Sequence, residues 1–295
     1  MSIASQSKAA GLSTIHPDTT VGTVGLTVSD LERSRAFYER TLGLRATELD
    51  DGGLALSSAG GPLVELHGDR SAPRLDRRAT GLYHLAILVP TRRDLALALM
   101  RIAEARWPLD GASDHLVSEA LYLSDPDGNG IEIYRDRPRE LWRRVGDQLE
   151  MATLALDLRD VLGELHGDQT PQPLVPDGTR IGHVHLQVAD IADAEAFYSG
   201  LLGFDVVVRG YPGALFVSAG GYHHHIGLNT WHSAGAAAPA PGSVGLRNFE
   251  VVLSDDAQRQ KLLARIADAG VPLELAPGGA VVRDPSGNAV LVRSR

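Results

Sequence analysis

The chain contains no cysteine, no basic stripe and no long apolar run, and each absence removes a class of explanation. Without cysteine there is no disulfide framework, no thiolate nucleophile and no sulfur-ligated zinc or iron–sulfur site. Any metal must be held by histidine and carboxylate, a ligand set that suits iron(II), manganese(II), zinc or nickel. No stretch approaches the ~20 apolar residues that a membrane helix needs. Met1 to Thr20 lacks a basic region followed by an apolar run, so 1–20 reads as a flexible N-terminal arm rather than a signal peptide. A formal charge of −9 without clustered Lys and Arg argues against nucleic acid. The expectation is a cytoplasmic protein that acts on a small molecule, with no membrane and no nucleic-acid partner.

What is present is enough for about two domains of ordinary size: 295 residues, 43% of them hydrophobic. Those domains are related by duplication. Val21 to Leu31 is echoed by Ile181 to Ile191, Ala36-Phe37-Tyr38 by Ala196-Phe197-Tyr198, and Ser58-Ala59-Gly60-Gly61 by Ser218-Ala219-Gly220-Gly221, all at an offset of 160 residues. Each copy reads as strand, helix, then short strands: Thr23 to Val28 alternates, Asp30 is an N-cap, and Phe37, Tyr38 and Leu42 fall at helical spacing.

A second kind of unit begins at Gly81, continues through a Leu/Ala-rich helix from about Arg93 to Ala105, and ends in a hairpin. It recurs from Gly245, with a helix near Gln258 to Ala269 and a closing turn at Asp284-Pro285-Ser286-Gly287-Asn288. The predicted fold class is α+β, with four βαβββ modules near 21–68, 80–135, 180–231 and 244–294 forming two incomplete barrels. The domain plan is an N-terminal half over 21–135, a connector over 136–179 with helical pieces at Glu140 to Leu149 and Leu156 to Leu165, and a C-terminal half over 180–295.

Chemistry-bearing residues are unevenly spread over these modules. In the hairpin around Asp125-Pro126-Asp127-Gly128-Asn129-Gly130, Ile131 and Ile133 face one way and Glu132 the other, so a carboxylate stands alone on one face of a sheet. On the inward face the first strands offer Gly25, His84, His185 and Asn248, and the last strands Glu65, Glu132, His225 and Leu291. His84, His185 and Glu132 make two histidines and a carboxylate, the set that leaves open positions on a non-haem iron. In Tyr222-His223-His224-His225, strand alternation would place His223 and His225 on one face and His224 on the other. His225 beside a metal could move protons near neutral pH, and His115 and Tyr122 stand one strand before Glu132.

These modules and motifs resemble the vicinal-oxygen-chelate superfamily of glyoxalases, bleomycin-resistance proteins and extradiol dioxygenases. The stretch Asp114 to Glu132, with Tyr222-His223-His224-His225, is similar to the Bacillus-type catechol 2,3-dioxygenases. The resemblance implies an extradiol ring-cleaving dioxygenase acting on a small aromatic diol and O2. It implies Fe(II) or Mn(II) on His84, Glu132 and His185, an acid–base role for His225, a steadying role for Tyr122, and a second-sphere place for His115.

In the better-known enzymes of this kind the ligands lie on the third and fourth modules, whereas here the His/Glu module is the second. Modules two and three must then meet, either within one chain or between the chains of a homo-oligomer. Two rivals stand beside this expectation. One is a glyoxalase-like isomerase or lyase using Glu65, His84 and Glu132; the other is a metal-free protein that sequesters small molecules.

Overall fold

A computed structural model describes residues 14–167 and 172–295, so the expected N-terminal arm lies outside the described residues as far as residue 13. From Ile15 onward it is anchored. The Ile15 amide donates to the Gly203 carbonyl at 2.9 Å and its side chain is buried in the core.

The first module runs β1 (Thr20–Val28), α1 (Leu31–Arg40), β2 (Arg45–Glu48), β3 (Leu54–Ser58) and β4 (Gly61–Gly68). The second runs β5 (Gly81–Leu88), α2 (Arg92–Glu104), β6 (Gly111–Asp114), β7 (Ser118–Ser124) and β8 (Gly130–Asp136). After the connector come β12 (Arg180–Gln187), α4 (Ile191–Glu195), β13 (Asp205–Val208), β14 (Ala214–Ser218) and β15 (Ile226–Asn229). The last module is β16 (Gly245–Leu253), α5 (Asp256–Asp268), β17 (Glu274–Ala276), β18 (Gly279–Arg283) and β19 (Ala289–Ser294). Each module is thus a βαβββ unit, and every helix starts on the same chemistry. Asp30, Asp190 and Asp255 accept from the backbone N–H three residues on, and Thr91 does so within a full capping box with Asp94.

The connector departs from expectation in its first piece. Only Arg139–Leu141 forms a helical turn; β9 (Arg144–Val145) and β10 (Gln148–Leu149) then pair as a tight hairpin, because Gly146 takes φ +66° and turns the chain. The second piece is α3 (Leu158–Gly163), capped by Asp157, and between them β11 (Leu154–Ala155) joins β6 at the sheet edge.

The modules do not close on their neighbours in sequence. One sheet has the order β17-β18-β19-β16-β1-β4-β3-β2 and joins modules one and four; the other, β11-β6-β7-β8-β5-β12-β15-β14-β13, joins modules two and three. The meeting of modules two and three therefore occurs within one chain, through antiparallel pairing of β5 with β12. The halves are tied across the sheets as well: the Tyr38 hydroxyl of module one donates to Asp125 of module two (3.3 Å), and Tyr198 of module three to Asp284 of module four (2.9 Å).

Alternation along the central strands separates core from cavity. Leu85, Ile87, Val184, Leu186, Val24, Leu26, Phe249 and Val251 are all nearly inaccessible and belong to one apolar core between the sheets and helices. The residues between them face the other way. No helix among the described residues is long and apolar enough to cross a membrane.

Candidate metal centre

On the nine-stranded sheet three adjacent strands bring together His84 on β5, Glu132 on β8 and, at alternate positions of β12, His183 and His185. Ala86 is the meeting point: it lies level with Glu132 on one side and with His183 on the other. The ladder slips between Ile181 and His183 and again after His185, and it sets His185 opposite His84. These registers decide which imidazole reaches the carboxylate.

His84, Glu132 and His183 form a compact buried group whose ligand atoms lie within 4.8 Å of one another. Glu132 Oε2 stands 3.0 Å from His84 Nε2 and 3.1 Å from His183 Nε2. The His84 approach lacks hydrogen-bond geometry, so this buried nitrogen is left without a partner. Such an orphan is costly, and a cation between the three atoms would satisfy it. The spacing fits. Two ligand atoms each ~2.1 Å from a common metal at a right angle are ~3 Å apart. Burial pushes the Glu132 carboxyl up, but His183 and His84 pull it back and hold it well below the usual carboxylate range. Burial pushes His183 down to about 4, so its ring is a neutral lone-pair donor at neutral pH.

His185, the expected third ligand, is outside this group. Its ring is 5.0 Å from that of His84 and packs among Tyr83 (5.2 Å), Trp231 (5.3 Å) and Phe216 (5.6 Å), while its Nε2 is buried without a partner. Gly227 makes room for it, since a side-chain carbon there would press on the imidazole at 2.9 Å. One sequence signal separates the two histidines: His84 and His183 each lie seven residues before their helix N-caps, Thr91 and Asp190, whereas His185 lies five before.

His84 and Glu132 of this group, together with His185, line a cavity of about 810 Å³ whose other lining residues include Tyr83, Phe216 and Trp231 and the exposed Arg77 and Arg78. His115 and Tyr122 both line it and are joined, His115 Nε2 to the Tyr122 hydroxyl at 2.6 Å, with His115 Nδ1 at 2.7 Å from the Ala152 carbonyl. A carbonyl only accepts, so Nδ1–H donates to it, and a neutral His115 then accepts the Tyr122 proton at Nε2. Burial and the neighbouring Glu132 hold the Tyr122 hydroxyl well above the usual phenol range. It is a proton-bearing group at this site.

The histidine run is not a strand, which corrects the expectation for His225. Residues 222–225 form an irregular turn before β15, so alternation does not apply to them. It is His224 that lines the cavity with His84 and Glu132, its ring 4.1 Å from that of His183. His225 faces a separate pocket of about 310 Å³ bordered by Arg139 and Arg180, and its Nδ1 accepts from the Ala219 amide at 3.1 Å. Burial pushes His225 down to about 3. Glu65 stands on β4 in the eight-stranded sheet, away from His84 and Glu132, so the isomerase rival loses its third ligand.

The crossed pair of sheets and the buried His/Glu group define a class. Residues 20–133 and 180–292 match the Glyoxalase/Bleomycin resistance protein/Dioxygenase superfamily, and the chain belongs to it. More particularly, the chain is 44% identical over 285 residues to the Catechol-2,3-dioxygenase of Bacillus subtilis (strain 168), a match spanning 95% of this chain and 99% of that protein. Among solved structures, a candidate dioxygenase from Bacillus subtilis subsp. subtilis strain 168 superposes with a TM-score of 0.63 at 15% identity, over 96% of this chain and 86% of that one. Glyoxalase I from Zea mays gives 0.56 at 16% identity, over 93% and 92%. At those identities the likeness is one of fold.

Proposed function

We propose that the chain is a metal-dependent extradiol dioxygenase that cleaves the ring of catechol or a substituted catechol with O2, with His84, Glu132 and His183 holding iron(II) or manganese(II). The observation that carries this reading is the buried convergence of two imidazole nitrogens and one carboxylate oxygen, one nitrogen otherwise unpartnered, with His84 and Glu132 on the wall of an aromatic-lined cavity. The near full-length relationship to a catechol-2,3-dioxygenase supports it. The reaction breaks one ring carbon–carbon bond beside the diol and leaves both atoms of O2 in the product.

When bound, the metal supplies a Lewis-acid and electron-transfer centre for the diol and O2. The chain supplies the rest. Tyr83, Phe216 and Trp231 offer faces and edges against which an aromatic ring packs, and they exclude water from that side. His224, neighbouring the metal group, takes the proton-moving role that the sequence assigned to His225. Tyr122, braced by His115, directs its oxygen at the substrate. Arg77 and Arg78, exposed residues of the same lining, favour a substrate that carries negative charge.

The test is oxygen uptake by protein loaded anaerobically with iron(II) and mixed with catechol. One O2 consumed per catechol, with appearance of the yellow ring-cleavage product, is the expected result. Full metal occupancy on the three ligands with no oxygen consumption toward any catechol would overturn the activity while leaving the metal site standing.

A further inference from the structure

We infer that Asp136 and His223 are positioning residues: through two hydrogen bonds they fix His224 with its proton on Nδ1 and leave Nε2 as an acceptor for a substrate hydroxyl. The substrate clause rests on the diol reading above; the hydrogen-bond chain itself does not.

The chain starts from an acceptor. A carboxylate offers only lone pairs, so the contact of 2.9 Å between Asp136 Oδ1 and His223 Nε2 has its proton on the imidazole. A neutral His223 then carries a lone pair at Nδ1, which lies 2.8 Å from His224 Nδ1. His224 must donate there. Its remaining nitrogen, Nε2, is left with a lone pair on a ring that lines the metal cavity. A second chain of donors ends on the same carboxylate oxygen. The Tyr222 hydroxyl donates to Asp136 Oδ1 at 3.1 Å, and the Tyr134 hydroxyl is 2.7 Å from that of Tyr222, so Tyr134 is the donor of that pair. Both chains run one way, toward Asp136.

The surroundings are built for this. His223 and Tyr134 are fully buried, and Trp142 packs on His223 at 5.3 Å. A methyl at Gly182 would overlap the Tyr134 hydroxyl, so the bare glycine keeps that chain intact. Glu132, Tyr134 and Asp136 occupy alternate positions of β8 and share one face, so a single strand carries both the metal carboxylate and the oxygen that orders the histidines. The Asp136 end reaches the separate pocket, where its side chain is 26% exposed.

The test reads tautomers by long-range 1H–15N correlation in protein labelled with 15N-histidine and loaded with diamagnetic zinc(II). The expected pattern is a proton on Nδ1 of His224 and on Nε2 of His223. Asp136→Asn should keep its zinc yet shift His224 toward the form protonated on Nε2, and should weaken anaerobic catechol binding by about three- to tenfold, the worth of one neutral hydrogen bond. Wild-type His224 protonated on Nε2, with His223 protonated on both nitrogens, would reverse the chain and overturn the inference. An unchanged His224 tautomer in Asp136→Asn would do the same, and catechol that leaves the Nε2 resonance of His224 unmoved would overturn the substrate clause. Because the wild-type pattern is read without iron, O2 or catechol, it stands or falls apart from ring cleavage, and it decides the matter even where the variant folds poorly.

Discussion

The two sheets are the same device used for different ends. Counting seven residues back from each helix N-cap gives His84 and His183 on the nine-stranded sheet but Asn248 and Thr23 on the eight-stranded one, and the strand position of Glu132 is filled by Leu291. Where Ala86 stands between Glu132 and His183 in the first sheet, Glu250 stands in the second, paired with Arg293 and accepting from the Thr23 amide at 3.0 Å. One centre therefore gathers three metal-competent atoms. The other neutralises its carboxylate with a guanidinium and a backbone amide. A duplicated scaffold keeps its geometry through the strand pairing and core packing that both sheets share, and can carry different side chains at equivalent positions of the cavity face.

The comparison is broken most decisively at the ligands. His84→Ala, Glu132→Ala and His183→Ala should each weaken metal binding by more than the ~10²-fold that outer-shell changes cost, whereas His185→Ala retains the metal. Elemental analysis that finds full occupancy in any of the first three would move the metal elsewhere, the eight-stranded sheet included. Next in size, His224→Ala should keep the metal and lose ~10²–10⁴ in turnover, while His225→Ala stays within a few-fold of the parent. Steady-state oxygen uptake checks both, and equal losses would erase the distinction drawn between the cavity and its neighbouring pocket.

Acid should open one sheet before the other. His225 titrates near 3 when folded, against ~6.5 unfolded, so the unfolded state binds its proton more tightly. That contribution is fully present above pH 6.5 and is lost as pH falls toward 3, by about 1.4 kcal/mol per pH unit. Metal-free His183, near 4, adds in the same direction. Hydrogen exchange should show β12 and β15 losing protection first; simultaneous loss in β1 and β16 would argue against the contrast. The smallest effect tests what the halves have in common. Tyr38→Phe and Tyr198→Phe each remove a hydroxyl from a buried Asp, and each should cost ~1–2 kcal/mol in urea unfolding.

Much of this was legible in the sequence because it rests on periodicity. The helices from Arg92 and Asp256 announce themselves by spacing, the repeat by its fixed offset, and the isolation of Glu132 between Ile131 and Ile133 by alternation. What alternation cannot resolve is level along a strand. His183 and His185 share a face, and the slipped ladder between β5 and β12, echoed in the sequence by the seven-residue spacing of His84 and His183 from their helix N-caps, decides that His183 meets the carboxylate. Nor does it hold outside a strand: residues 222–225 turn, so His224 enters the cavity and His225 leaves it. The stretch 140–149 has helical spacing, yet Gly146 folds it into a hairpin. Asp136 gave no signal, since its partners lie 86 and 87 residues away.

The crossed pairing also shapes how the chain is born. Val21 on β1 pairs with Val251 on β16, and β5 pairs with β12, so both central edges of the first half await segments made much later. At ~5–20 residues per second, the edge of β1 leaves the ribosome on the order of tens of seconds before its partner exists. An open edge of that duration is a template for the wrong strand, including the same edge on a neighbouring nascent chain. Slower translation across 136–179 should lengthen that exposure and raise the aggregated fraction, and co-synthesised holdase chaperones should lower it.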